Sequence, residues 1–426
     1  MSIEAIYQLF SASEGVCTDT RQIRPGVLFF ALRGASFNGN EFAAAALEQG
    51  ASYAIIDDEN HKVNNRCVLV QDALACLQEL ARYHRRRFSI PFIAVTGSNG
   101  KTTTKELIYS VLATTYKTYA TKGNLNNHIG IPLTLLSIKE DAQIAIIEMG
   151  ANHQKEIESY CRIAEPTHGI ITNIGKAHLE GFGGLEGVKK GKGELFAYLK
   201  ARSGTAFVNS SNSLIMELDR PEKSVYFPQA NDDYSCSLEE ANPYIRFKAA
   251  NGERTSTQLI GKYNFDNIAA ALCIARHFAV PDTEANRAIS AYVPDNNRSQ
   301  VIRQGDNTIL LDAYNANPSS MQAALENFAG LPGEGKVVIL GDMFELGDES
   351  EAEHERLGGL IREKHFDTIL LCGTQMAHAS RACPEALYFE DRPSLENFLR
   401  SSSFSQTRIL IKGSRSMGLE KILPLL

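Results

Sequence analysis

One stretch limits the possible folds more than any other. Phe92-Ile93-Ala94-Val95 is a short apolar run, Thr96-Gly97-Ser98-Asn99-Gly100 is a glycine-bearing turn, and Lys101-Thr102-Thr103-Thr104 leads into a helix-like segment, Lys105 to Leu112. Strand, tight loop and helix in that order gather backbone N–H groups and a helix N-terminus at one point, which favours a bound anion. The Gly-Lys-Thr ending marks a phosphate-binding loop for a nucleoside triphosphate. Gly97, Ser98, Asn99, Gly100, Lys101, Thr102 and Thr103 are its expected contacts, with Lys101 on the terminal phosphate and the Thr102 hydroxyl on Mg²⁺. The loop departs from G-x-x-x-x-G-K-[ST], because Val95 stands where that pattern has its first glycine.

Around this loop the chain alternates strand-like and helix-like segments, the pattern of an α/β protein. At 426 residues it is too long for one ordinary core, and two to three domains are expected, three by the run of segments. A small α/β domain spans 1–88, with strands at Val27–Leu32, Tyr53–Ile56 and Val68–Val70 and helices at Asn40–Gln49 and Ala73–Arg86. A central phosphate-loop domain with a mostly parallel sheet spans 89–296, its further strands being Ile144–Ile147, Gly169–Ile174 and Ala206–Asn209. Within it, 222–258 reads as polar and irregular with short β-like pieces, and Asn264–Phe278 as an Ala-rich helix. A doubly wound, Rossmann-like domain spans 297–426, with strands near 308–311, 336–340, 368–371 and 408–411. Ligands of such sheets bind at the carboxyl ends of the strands.

Bulk properties narrow the function. A hydrophobic content of 43% with 22% charged residues describes a soluble globular protein. A net charge of −7 argues against nucleic-acid binding. The cluster Arg82, His84, Arg85, Arg86 and Arg87 reads as a solvated helix end. No apolar run reaches the roughly 18 to 20 residues of a membrane helix, and the N-terminus lacks the pattern of a signal peptide. Eight scattered cysteines without a C-x-x-C pair point to reduced thiols and a cytoplasmic location.

Several polar residues fall where ligands gather. Glu148 ends a buried strand, the position of an acid that holds a nucleotide's Mg²⁺. His178 lies just past another strand end, as either a structural histidine or a ligand. Lys189, Lys190 and Lys192 are either phosphate clamps or a solvated charge run. Asn264 and Asn267 either cap the following helix or read a base edge. Arg298 sits at the junction to the third domain, and Asp312 to Pro318 follows a strand.

Together these residues resemble the Mur ligases, the ATP-dependent amide-forming family of peptidoglycan synthesis, over essentially the whole chain. Within the family the resemblance is to the ligase that joins D-alanyl-D-alanine to UDP-N-acetylmuramoyl-tripeptide. It is carried by Thr96–Thr103, Gly123–Thr134, Asn173–Glu180, Lys192–Glu194, Asp312–Pro318, Lys412–Met417 and, near the N-terminus, Thr18–Arg21 with Gly26–Leu32. The D-N-P-R signature of the diamino-acid ligase is absent. Two departures stand out: Asn38-Gly39-Asn40 where such enzymes often show Asp-Gly-His, and Gly191 where a residue such as Ala is usual.

The resemblance implies a peptide ligase that releases ADP and phosphate through an acyl phosphate, serving cell-wall synthesis, cell shape and division. It implies Lys101, His178 and Lys192 as catalytic residues and two Mg²⁺ ions held by Thr102, Glu148, His178 and Lys192, the last as N6-carboxylysine. ATP contacts would add Asn264, Asn267, Arg298 and Asp312 to the loop. Substrate contacts would come from Thr18, Asp19, Thr20, Arg21, Asn124, Asn126, Asn127, Tyr314, Asn315 and Arg415. Its partners would be UDP-N-acetylmuramoyl-tripeptide and D-alanyl-D-alanine, met by a monomer. The alternatives are a Mur-type ligase for another amino acid or a folate, a non-catalytic nucleotide-binding regulator, and a simple ATPase or kinase.

Overall fold

The phosphate-loop strand Phe92–Thr96 lies inside a six-stranded parallel sheet and is buried along its whole length. The spatial order is Ser224–Phe227, Thr205–Asn209, His168–Ile171, Phe92–Thr96, Ile144–Glu148, Thr118–Ala120. A parallel strand needs cover on both faces, and alternate side chains supply two cores. Ile93 and Val95 pack into the core that includes Leu107 and Ile108 of helix Lys101–Leu112 and Ile268 of helix Tyr263–His277. Phe92 and Ala94 join the opposite core, with Tyr160 of helix Glu156–Ala164 and Leu195 of helix Leu185–Ala201. After Phe92–Thr96 the chain builds the strands on one side, then crosses to His168–Ile171 on the other. The phosphate loop therefore sits at a switch in strand order, where α/β sheets bind ligands.

The structure, a computed structural model, describes residues 1–295 and 297–426. The expected domain limit at 296 falls on Asn296, outside the described residues. The N-terminal lobe is a four-stranded parallel sheet, Val16–Cys17, Leu28–Phe30, Tyr53–Ile56 and Cys67–Leu69. The C-terminal lobe is a six-stranded sheet in the order Gln300–Gln304, Asn307–Asp312, Arg408–Lys412, Lys336–Gly341, Thr368–Cys372, Leu387–Phe389. Only Gln300–Gln304 runs antiparallel in it. Helices Pro318–Gly330 and Ser350–Lys364 cover one face and Arg392–Arg400 the other, the doubly wound arrangement. No helix among the described residues is long and apolar enough to cross a membrane.

Two expectations need correction. The stretch 222–258 is not irregular: it holds an edge strand of the central sheet and a three-stranded antiparallel sheet, Ser237–Glu240, Tyr244–Lys248 and Arg254–Ile260. Strands Tyr244–Lys248 and Arg254–Ile260 alternate exposed and buried residues, with Ile245, Phe247 and Leu259 facing the core.

The basic cluster is a solvated helix end only in part: Arg82, Arg86 and Arg87 are exposed, whereas His84 and Arg85 are buried. Arg85 is 6% exposed; it donates to the carbonyls of Ala164 (2.8 Å), Glu165 (2.8 Å) and Phe88 (3.0 Å) and lies 3.6 Å from the Phe92 ring centroid. Arg82 and Arg86 pair with the Glu165 carboxylate at 3.0 and 2.7 Å. His84, also buried, contacts the Ile138 carbonyl at 2.8 Å. These side chains fasten the last N-terminal helix, Ala73–Arg85, to the central lobe.

Candidate active site

A cleft of about 610 Å³ opens where the carboxyl ends of the central and C-terminal sheets face each other. Its floor is the phosphate loop. Gly97 has φ +146°, and a Cβ there would lie 2.0 Å from Thr172 Oγ1. Gly100 has φ +77° and would meet the Asn267 side chain at 2.8 Å. The loop is fixed from behind by the strand next door. Ser98 N donates to Asn173 O (3.0 Å), Asn99 N to Asn173 Oδ1 (2.9 Å), and Thr172 Oγ1 to Asn99 O (2.6 Å). The helix N-terminus at Lys101 then faces the cleft without a side-chain cap, so its amides are free for an anion.

The charged groups follow from this frame. Lys101 Nζ folds back onto the carbonyls of Gly97 (2.8 Å) and Ser98 (3.2 Å). Desolvation pushes its pKa down to about 8; Glu148 opposes the shift and Arg298 adds to it. Glu148, 1% exposed, accepts from Thr102 Oγ1 (3.1 Å) and Asn126 Nδ2 (2.8 Å) through Oε1. Its Oε2 is buried with no hydrogen-bond partner among the described residues, 4.0 Å from Lys105 Nζ. An orphaned carboxylate oxygen beside a threonine hydroxyl is the hard oxygen donor set that Mg²⁺ prefers, so these residues fit that ion.

Of the three crowded lysines only Lys192 turns inward. Lys189 pairs with Glu217, and Lys190 is exposed. Lys192 occupies the apolar stripe of helix Leu185–Ala201 between Val188 and Leu195 and is 1% exposed. It does not line the cleft itself. Its Nζ donates to Ala151 O (3.0 Å), a cleft residue, and lies 4.9 Å from the Phe182 ring centroid. Burial, reinforced by Lys101, holds its pKa well below the ordinary lysine value. Gly191 has a consequence here: a Cβ would come within 2.4 Å of the Phe182 ring, so glycine lets that ring close over the lysine. His178 lines the cleft in a left-handed backbone conformation, and its Nδ1 contacts the Glu345 carboxylate of the C-terminal lobe. The ring in turn holds the Glu345 carboxyl below the usual range.

The wall next to the loop comes from Tyr263–His277 and the C-terminal lobe. Asn264 does not cap that helix. Its amide donates to Ile260 O (2.8 Å), and its Oδ1 accepts from Asn267 Nδ2 (2.9 Å). Asn267 Oδ1 accepts from Thr104 Oγ1 (3.0 Å), so the pair ties this helix to the phosphate-loop helix while still lining the cleft. Arg298 also lines it, lying 3.7 Å from the Tyr314 ring centroid with its Nε buried and unpartnered among the described residues. Arg415 approaches the same ring at 5.2 Å. Asp312 accepts from Ser299 N (3.0 Å) and pairs with buried Lys412 at 2.5 Å. Asn315 is exposed at the rim.

Several cleft residues receive no individual role from the sequence. Asn317 Nδ2 donates to Asn99 Oδ1 (2.7 Å), joining the C-terminal lobe to the loop, and Ser319 Oγ accepts from Lys176 N (2.9 Å), joining it to the segment after strand His168–Ile171. Tyr263 meets Ser299 at 2.8 Å. Lys412 was the most legible of these, since it ends a strand beside Asp312.

The expected substrate residues divide. Asn126 and Asn127 line the cleft, whereas Asn124 does not. Thr18, Asp19, Thr20 and Arg21 lie apart from it, at the end of strand Val16–Cys17, where Asp19 caps a short turn and pairs with Arg21 at 2.7 Å. Asn40, in the departing Asn-Gly-Asn, is 1% exposed and spends its amide on Asp57 (2.7 Å) and Asn38 (2.8 Å).

Comparison with known proteins gives this arrangement a family. The family models for the Mur ligase family catalytic domain, the Mur ligase middle domain and the Mur ligase glutamate ligase domain match residues 13–85, 95–275 and 297–415. The chain belongs to the Mur ligase family. Among its relatives is the UDP-N-acetylmuramoyl-tripeptide--D-alanyl-D-alanine ligase of Escherichia coli K12, 35% identical over 96% of this chain and 92% of the relative. The protein of that name from Bacillus subtilis 168 is 33% identical over the same shares. A crystal structure of MurF from Acinetobacter baumannii is similar at TM-score 0.87 and 29% identity, covering 98% of this chain and 97% of that one. MurF ligase from Thermotoga maritima in complex with ADP gives 0.85 and 27%, with the same coverage. This Mur ligase thus shares the three-domain architecture of those structures.

Proposed function

We propose that this Mur ligase joins D-alanyl-D-alanine to UDP-N-acetylmuramoyl-tripeptide at the expense of ATP, as a cytoplasmic monomer in peptidoglycan precursor synthesis. The observation that carries the reading is one cleft in which the phosphate loop, Glu148 and His178 face Arg298, Asp312 and Asn317. That cleft lies in a chain aligned over nearly its full length with relatives of that name.

A carboxylate and an amine do not condense usefully in water, so the acid must be activated. An oxygen of the tripeptide's terminal carboxylate attacks the γ-phosphorus of ATP. The bond to the β,γ-bridging oxygen breaks, giving ADP and an acyl phosphate. The dipeptide amine then attacks the acyl carbon and loses a proton, and the tetrahedral adduct expels phosphate. Positioning and charge neutralisation do most of this work. Lys101 leaves the Gly97 and Ser98 carbonyls for the phosphates, whose charge restores the proton affinity lost to desolvation. The free amides at the start of helix Lys101–Leu112 hold the same oxygens. Arg298 and Asp312 receive the nucleotide from the other lobe, with Asp312 on the ribose. Thr102 and Glu148 would hold one Mg²⁺, and His178 and carboxylated Lys192 a second; bound Mg²⁺ supplies neutralisation of phosphate and carboxylate charge. The low proton affinity of Lys192 favours the neutral amine that adds CO₂. Thr18 to Arg21, Asn124, Asn126, Asn127, Tyr314, Asn315 and Arg415 remain the proposed substrate contacts.

The test is phosphate release from ATP with UDP-N-acetylmuramoyl-tripeptide, with and without D-alanyl-D-alanine, with the product identified by mass spectrometry. Release that requires both substrates and yields the pentapeptide supports the reading. Equal release without the dipeptide, or with a folate in place of the tripeptide, refutes it.

A further inference from the structure

We propose that Glu345 positions the His178 imidazole, so that docking of the C-terminal lobe sets the tautomer of a residue carried by the central lobe. The inference rests on the proposed role of His178 at the metal, and nothing in that role assigns Glu345. His178 and Glu345 both adopt left-handed backbone conformations, at φ 54° and 63°, although neither is glycine. Such conformations cost energy and persist only where the surroundings impose them. Here the two strained segments meet. Glu345 Oε2 contacts His178 Nδ1, and Glu180 N donates to Glu345 O at 3.3 Å. Gly347, at φ +56°, allows the approach: a Cβ there would lie 3.2 Å from the Glu180 side chain.

The contact has a chemical direction. A carboxylate accepts, so Nδ1 carries the hydrogen, and in the neutral ring Nε2 keeps its lone pair. His178 Nε2 makes no hydrogen bond among the described residues, and the residue lines the cleft. A histidine whose second nitrogen is held by a carboxylate is oriented and made more basic towards a metal, and loss of that partner weakens metal binding about 10- to 100-fold. The carboxylate comes from the far side of the cleft, so the imidazole is fixed only while the lobes are together.

The experiment uses the full chain labelled with ¹⁵N-histidine, with the His178 signals assigned by His178→Asn. Wild type, Glu345→Ala, Glu345→Gln and Glu353→Ala are compared. Glu353 is the control because it pairs with Lys176 across the same interface without touching His178. The ring nitrogen shifts report the tautomer, and Mn²⁺ in the presence of ADP, followed by electron paramagnetic resonance, reports the metal. The expected results are an Nδ1–H tautomer in wild type and a mixed tautomer in Glu345→Ala with Mn²⁺ bound 10- to 100-fold more weakly. Glu345→Gln, which keeps the volume and an acceptor oxygen, recovers part of both, and Glu353→Ala keeps the wild-type ring signals. An Nε2–H tautomer in wild type overturns the proposal. So does unchanged Mn²⁺ affinity in Glu345→Ala, or an equal effect of Glu353→Ala, which would reduce Glu345 to lobe docking. A chain that fails to ligate D-alanyl-D-alanine yet shows the expected ring and Mn²⁺ behaviour refutes the proposed function and leaves this inference standing.

Discussion

Gly97→Ala tests whether the phosphate loop is held in shape by its neighbour strand. Two costs act in the observed conformation. At φ +146° an L-residue is strained by about 1–3 kcal/mol. The new Cβ also lies 2.0 Å from Thr172 Oγ1, which must move and give up its 2.6 Å hydrogen bond to Asn99 O, worth about 1 kcal/mol. Together they come to about 2–4 kcal/mol, or roughly thirty-fold to several-hundred-fold in affinity for a ligand that needs this loop shape. Calorimetric titration with ADP and Mg²⁺ measures it, with circular dichroism confirming the fold. The structure predicts more than the loss. Thr172→Ala alone should weaken ADP about fivefold by removing the same hydrogen bond. On the Gly97→Ala background it should add almost nothing, because that bond is already broken. Wild-type affinity in Gly97→Ala would remove the strain argument. Full additivity of the two substitutions would show that the Thr172 contact is not how the loop is held.

Three further outcomes follow from buried charges. Lys192→Met should abolish ligation yet leave the thermal midpoint equal to or above wild type, since it replaces a buried amine in an apolar stripe by a similar volume; retained ligation would take Lys192 out of the chemistry. Arg85→Met should loosen the junction of the first two lobes by about 3–5 kcal/mol, leaving the carbonyls of Phe88, Ala164 and Glu165 without their donor; unchanged proteolysis between 86 and 91 would contradict this. Asp57 is pushed up by burial, but the Ala73 amide, Asn40 and Arg33 outweigh that and lower its pKa. Its stabilisation is therefore present above its unfolded value, about 3.9, and is lost as pH falls through the lowered one. Asp57→Asn should accordingly melt earlier than wild type at neutral pH, with the gap closing in acid; a gap that widens in acid would reverse the sign.

How much of this was legible depended on which faces the core covers. Phe92–Thr96, Ile144–Glu148 and Thr368–Cys372 are covered on both sides, so their apolar runs announce strands. Strand Arg254–Ile260 hides because Thr255 and Thr257, polar by type, fill its inward positions. The arginine cluster misleads because its partners include backbone carbonyls about eighty positions away, which no local pattern marks. Lys192 was half legible. Val188, Leu195, Phe196 and Leu199 set a helical stripe, and a lysine inside it is a charge at a core position, although its partner Ala151 O is not visible from spacing. Glu345 gives no signal at all, being one half-exposed acid in a loop.

The two interlobe junctions differ in kind, and that difference predicts which one opens. Between the first and second lobes a buried guanidinium fills the carbonyls of Ala164 and Glu165 and covers the Phe92 ring. Between the second and third, the contacts at the cleft are polar, Asn317 to Asn99, Ser319 to Lys176, Glu353 to Lys176, and Glu345 to both His178 and the Glu180 amide. Water replaces the neutral bonds of the second kind at little net cost, and the buried Glu353 carboxylate keeps Arg356 at 3.8 Å when Lys176 leaves, whereas Arg85 would lose its carbonyl partners across the junction. The third lobe is therefore expected to swing while the first two move as a unit. On the proposed function, a nucleotide held by Lys101 on one shore and by Arg298 and Asp312 on the other would add contacts only to the closed form and shift the balance towards it. Hydrogen exchange with and without a non-hydrolysable ATP analogue should show slowing at 176–180 and 345–353 and no change at 85–92, with scattering in solution reporting compaction. Equal slowing at both junctions, or none at the second, would mean that the polar seam is not the hinge.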